Sequence, residues 1–149
     1  MKKAETQAKE SAAPVGVVIV THTDYGVHLL KAAEMIIGPQ ENVRAVGVEV
    51  GVDTAMTAEL LDAAIAAVEQ GGGVMILTDM FGGTPTNLSL SLFAKHRVEV
   101  VTGVNLPMLI KVLSTRAKAL ELLAADAKSA GLQGIVVAGE VLRKKVAGE

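Results

Sequence analysis

The chain has 149 residues, half of them apolar, with 15 glycines, no cysteine and a formal net charge of −2. This length suits one domain whose core is large enough to need no disulfide or metal staple. The missing cysteines exclude disulfides, thiolate chemistry and cysteine-bound zinc, while mixed charge and 2% aromatic residues argue against binding nucleic acid.

Residues 1–14, "MKKAETQAKESAAP", carry charge but no apolar stretch of signal-peptide length, and are expected to form a mobile tail ahead of a domain over 15–149. No run approaches the roughly 20 apolar residues that span a bilayer, so a cytoplasmic protein is expected.

Residues 15–21 are an almost unbroken β-branched run, the pattern of a strand covered on both faces. The period then changes: Leu30, Ala33 and Ile37 recur at helical spacing, and Gly38-Pro39 stops that helix. "VRAVGVEV", 43–50, is a more alternating strand, nearer an edge. Asp53 is the expected N-cap of a helix over 54–70, with Ala58, Leu61, Ile65 and Val68 on one face, and "GGG" at 71–73 ends it.

"GVMILTD", 73–79, is the second fully apolar strand and ends on an aspartate. Thr84 reads as the N-cap and Pro85 as the first residue of a third helix, running to about Lys95. A strand follows at 98–104, then a helix from Pro107 capped by Asn105, another helix over 119–130, and a last short strand at 134–142, "GIVVAGEVL". Strands alternating with helices at these intervals predict a mainly parallel α/β sheet in flavodoxin-like order 2-1-3-4, with helices on both faces and a C-terminal edge strand.

Chemistry in such a sheet gathers beyond the carboxyl ends of the strands, where strand order reverses. In a 2-1-3-4 sheet the first and third strands meet there, and they end at His22 and Asp79, with Asn105 next door. A neutral imidazole attacks through one nitrogen while a carboxylate holds the proton of the other, so Asp79 is the expected partner of His22. "GGTP", Gly82 to Pro85, offers two glycines for close backbone approach and a helix start for an anion, with hydroxyls from Thr21, Thr23 and Thr84 alongside. An imidazole nucleophile beside an anion cradle points to phosphoryl transfer. Acyl transfer is disfavoured, since no serine or cysteine nucleophile pairs with the histidine.

The other features read as structure. His28 is taken as a surface residue of the first helix, and His96 as a helix-end residue attracted to the dipole's negative end. "GGG" precedes a strand where a dinucleotide fingerprint follows one, and no P-loop is present. No metal or cofactor is expected, since His22, Asp24 and Asp79 have no diagnostic ligand spacing.

"THTDYG", "LTDMFGGTPTN" and "TGVNLPML", in this order and spacing, resemble the enzyme IIA component of the mannose family of the bacterial phosphoenolpyruvate:sugar phosphotransferase system. The resemblance covers residues 15–115 well and the remainder loosely. It implies a phosphotransferase, in which His22 takes a phosphoryl group on Nε2 from phospho-HPr and passes it to a IIB component, serving IIC and IID membrane components indirectly. It makes Asp79 the residue that orients His22, places Thr84 by the phosphate, and implies a homodimer, in some relatives with an exchanged C-terminal strand. The chain departs from the family's common pattern at Thr23, where glycine is frequent, and at Phe81, where tryptophan is frequent. The second reading is a regulatory phosphoprotein of the same fold, whose phosphorylation on His22 switches a partner without sugar transport.

Overall fold

The computed structural model describes residues 13–148; most of the predicted tail, residues 1–12, lies outside them. Four strands, β1 (Gly16–His22), β2 (Val43–Val48), β3 (Val74–Thr78) and β4 (Val98–Thr102), form one parallel sheet in the order β2-β1-β3-β4. Between them run α1 (Tyr25–Ile37), α2 (Thr54–Val68) and α3 (Thr84–Leu90); α4 (Leu106–Ser114), α5 (Leu120–Gln133) and α6 (Ala138–Val146) follow the last strand.

Period-two alternation sends each central strand into two cores. Val17 and Ile19 of β1, with Met75 and Leu77 of β3, pack against Leu29 and Ala33 of α1 and against apolar residues of α4 and α5. Val18 and Val20, with Val74 and Ile76, face Leu61 and Ile65 of α2 and Leu88 of α3. Both central strands are therefore apolar up to their last buried residues, Thr21 and Thr78, which is why their sequence shows no polar alternation. Asp53 caps α2 by accepting from the Ala55 N–H at 3.0 Å, as its position predicts.

The predicted C-terminal strand does not form. Residues 138–146 are helix α6, none of whose residues is buried, and Ile135, Val136 and Val137 stand exposed before it. A short β-branched run is ambiguous between strand and helix. Here Ala138, Leu142 and Val146 recur at i, i+4 and i+8, and Arg143, Lys144 and Lys145 fill the last turn, where cations favour a helix. The edges of the sheet are accordingly β2 and β4.

Candidate functional site

Because β1 and β3 are neighbours with Val20 opposite Thr78, the residues that leave each strand emerge side by side. His22 is the last residue of β1 and the first exposed one, after six buried residues. Asp79 follows directly on β3. Its Oδ2 accepts twice from His22, from the backbone N–H at 2.9 Å and from Nδ1 at 2.7 Å, while Oδ1 accepts from the Met80 N–H at 3.0 Å.

The His22 side chain is 47% exposed, whereas that of Asp79 is 16% exposed. Burial pushes the Asp79 carboxyl upward. The hydrogen bonds from the His22 backbone and ring, with the charge of that ring, outweigh burial and hold the carboxyl below its ordinary value. Asp79 is thus an acceptor at neutral pH, so the neutral imidazole keeps its proton on Nδ1 and presents its lone pair at Nε2.

Two glycines shape the space around that nitrogen. Gly82 has φ +82°, a left-handed conformation that bulkier residues rarely adopt. A Cβ on Gly83 would lie 3.0 Å from His22 Cε1 and 3.4 Å from Nε2, so its lack of a side chain lets the loop backbone pass close to the ring. His22, Glu49, Val52, Thr54 and Thr84 line one groove of about 290 Å³, between the loop after β2 and the start of α3. Exposed Val50 on one flank, and Met80 and Phe81 on the loop after β3, give this end of the molecule an apolar rim.

Of the other predicted residues, Thr21 and Asn105 stand away from the groove. Thr21 is fully buried; its hydroxyl accepts from the Gly26 N–H at 2.8 Å, so it braces the β1–α1 turn and does not reach a ligand at the surface. Thr23 is exposed with φ +52°, and its N–H is held by the Val48 carbonyl at 2.9 Å. Glycine adopts that backbone more freely than threonine does. Asn105 caps α4 through the Met108 N–H at 3.0 Å and donates to the Gly131 carbonyl at 3.0 Å, so its side chain joins α4 to α5 and is not part of the His22 groove. Gly83, not Thr84, is the N-cap of α3, which leaves Thr84 on the groove wall.

His96 lies beyond the end of α3 and hydrogen-bonds Asp62 of α2 at 2.5 Å, a specific partner in place of a helix dipole. His28 is exposed as predicted and meets Asp24 at 3.1 Å. Among the described residues, no group of three or more metal-ligating side chains gathers, and no helix is long and apolar enough to cross a membrane.

The sheet order β2-β1-β3-β4 is the one found in IIA components of the phosphotransferase system. More narrowly, the chain belongs to the EIIA-man family, whose model, described as PTS system fructose IIA component, matches residues 16–129. The PTS system fructose-specific EIIA component of Bacillus subtilis (strain 168) is 34% identical over 132 residues, covering 87% of this chain and 90% of that protein. The PTS system mannose-specific EIIAB component of Escherichia coli (strain K12) is 37% identical over 103 residues, 68% of this chain. That match is 32% of the E. coli protein, so the chain spans about a third of its length. Among solved structures, phosphotransferase system component EIIA from Streptococcus agalactiae superposes with a TM-score of 0.77 at 25% identity, over 85% of this chain and 98% of that one. The mannose/sorbose specific IIA subunit from Enterococcus faecalis shares the fold, with a TM-score of 0.77 at 21% identity over 84% of this chain and 95% of that one.

Proposed function

We propose that the protein is a histidine phosphocarrier that takes a phosphoryl group from phospho-HPr on His22 Nε2 and passes it to a IIB component. The observation that carries this reading is the 2.7 Å contact from Asp79 Oδ2 to Nδ1, which leaves Nε2 as the nucleophilic nitrogen beside Gly83. In the forward step, the Nε2 lone pair attacks phosphorus in line. The phosphorus–nitrogen bond of the donor breaks, and the donor nitrogen keeps the electron pair. The phosphorylated ring carries positive charge, which the Asp79 carboxylate stabilises through the retained Nδ1 proton. In the second step a nucleophilic side chain of IIB attacks the same phosphorus, the Nε2–phosphorus bond breaks, and Nε2 takes back the electron pair.

The assigned roles are His22 as nucleophile and Asp79 as the group that orients it. The Gly82 and Gly83 backbone, the Thr84 hydroxyl and the exposed Thr23 hydroxyl are assigned to the phosphoryl oxygens; Thr21 supports the turn beneath them. Half-exposure of His22 supports this reading, because a carrier must meet a donor and an acceptor in turn. Supply of IIC and IID membrane components through IIB, from a cytoplasmic location, follows from the same assignment.

We also propose a homodimer. An apolar groove of about 680 Å³ runs along the free β4 edge, lined by Val100, Val101, Met108, Ala124 and Leu132 among others. The exposed Val136 and Val137, next to Ile135 in the groove's own wall, supply the kind of apolar surface that a second copy would cover.

The test is to incubate the protein with phosphoenolpyruvate, enzyme I and HPr, then add a IIB acceptor. The expected result is an acid-labile phosphoryl group that moves on to IIB. Absence of uptake, or uptake that persists in His22→Ala, would overturn the reading.

A further inference from the structure

The five residues that link β3 to α3, Asp79 to Gly83, carry half of the site, yet Met80, Phe81 and Gly82 are exposed. What fixes this loop from below is a pair of buried hydroxyls. Thr86, in α3, is 1% exposed and donates to the Met80 carbonyl at 2.6 Å. A carbonyl can only accept, so the single Thr86 proton is committed there. The 2.7 Å contact between Thr78 and Thr86 must then run from the Thr78 hydroxyl to Thr86 Oγ1. Thr78 is fully buried, and its own carbonyl accepts from the Val104 N–H at 2.9 Å.

The two bonds form a one-way chain, Thr78 to Thr86 to Met80, in which each donor polarises the next. Its ends are the residues immediately before and after Asp79. Among the described residues, the other side-chain hydrogen bonds of α3 stay within the helix and its end, so Thr86 is the helix's side-chain hold on this loop, beside the backbone bond from the Asn87 N–H to the Gly83 carbonyl at 3.0 Å.

We infer that Thr86 is a positioning residue for phosphoryl transfer at His22. It clamps both flanks of Asp79, and so fixes the carboxylate against Nδ1 and the Gly83 backbone beside Nε2. The inference rests on the proposed phosphocarrier function. Without the hydroxyl, the Met80 carbonyl and the Thr78 hydroxyl both lose their buried partner, and the loop has reason to reorganise towards water. Displacements of about 1 Å at a reacting pair cost up to roughly 10²-fold in rate.

The experiment compares Thr86→Val, which keeps shape and deletes the hydroxyl, with Thr86→Ser, which keeps the hydroxyl. Transfer from phospho-HPr is followed together with the proton resonance of His22 Nδ1–H. Thr86→Val is expected to lower kcat by about 10-fold or more with KM for phospho-HPr little changed, since a buried residue touches no partner. The Nδ1–H resonance should shift or broaden in that variant, and Thr86→Ser should restore both readouts. If Thr86→Val fails to fold, Thr78→Val breaks the first link only and should show the same pattern in weaker form.

Wild-type kcat and an unchanged resonance in a folded valine variant would overturn the inference, as would a defect confined to Thr86→Ser. Wild-type protein that takes up no phosphoryl group would overturn the phosphocarrier reading itself, a result distinct from equal transfer by wild type and variant.

Discussion

Among the described residues there are two close histidine–aspartate pairs outside the local contact between Asp24 and His28. His22 engages Asp79 through Nδ1 at 2.7 Å, and His96 engages Asp62 through Nε2 at 2.5 Å. The first pair joins the ends of two central strands; the second joins α2 to the turn after α3. His22 is the more exposed histidine of the two, at 47% against 24%, and its carboxylate is the more buried, at 16% against 44%. Contact with a carboxylate is therefore not what makes a site. What distinguishes His22 is that its outer nitrogen is the unengaged one, facing a groove with glycine beside it. His96 instead uses its outer nitrogen to tie down a helix.

The largest expected difference follows from that contrast. His22→Ala should abolish phosphoryl uptake, whereas His96→Ala should leave it intact with some loss of thermal stability. Autoradiography of both variants checks this, and label lost with His96 in a folded protein would reverse the assignment. Next in size, Asp79→Asn should slow transfer roughly 10²-fold by freeing the ring's tautomer and orientation. Asp62→Asn should transfer at the wild-type rate, and stopped-flow or quench measurements on the two variants compare the pairs directly.

A smaller effect is expected at Gly83→Ala. The added methyl meets the His22 ring at 3.0 Å. If about 1.4 kcal/mol of the overpacking falls on the transition state, transfer slows roughly 10-fold. Crowding of the ring should appear in the His22 side-chain resonances, while those of His96 stay in place.

The smallest effect is on stability in acid. The Asp79 carboxyl is held below its ordinary value, so its contribution is complete above the unfolded carboxylate value and is lost as pH falls through the lower folded one. Asp62 is also held below its ordinary value, chiefly by its hydrogen bond from His96, so both pairs weaken in the same direction. Melting curves between about pH 5 and pH 2 should therefore flatten in part for Asp79→Asn, and further when Asp62→Asn is added. Curves parallel to wild type for both variants would contradict the account of these pairs.

Much of this arrangement was legible in the amino-acid order. The apolar runs before His22 and Asp79 identify the central strands, because only strands covered on both faces need no polar alternation. Parallel topology then brings the two residues together across 57 positions of sequence, a juxtaposition that no local motif contains. At Thr21, residue type reveals a hydroxyl but not the side of the turn on which it is buried. Asn105 was correctly read as a cap, and its second bond to the Gly131 carbonyl depends on how α5 packs. The segment after Gly134 misleads because a β-branched run satisfies strand preference locally, while the helical spacing and basic last turn decide otherwise. Thr86 gave no signal at all, since its partners are defined only when α3 lies under the β3 loop.

The central claim is that Asp79 reserves one nitrogen of His22 and leaves the other for the phosphoryl group. Long-range ¹H–¹⁵N spectra of the phosphorylated protein, with phosphorus coupling to identify the substituted nitrogen, test it most directly. The account predicts phosphorus on Nε2 of His22, with the proton retained on Nδ1. Phosphorus on Nδ1, or on His28 or His96, would contradict it.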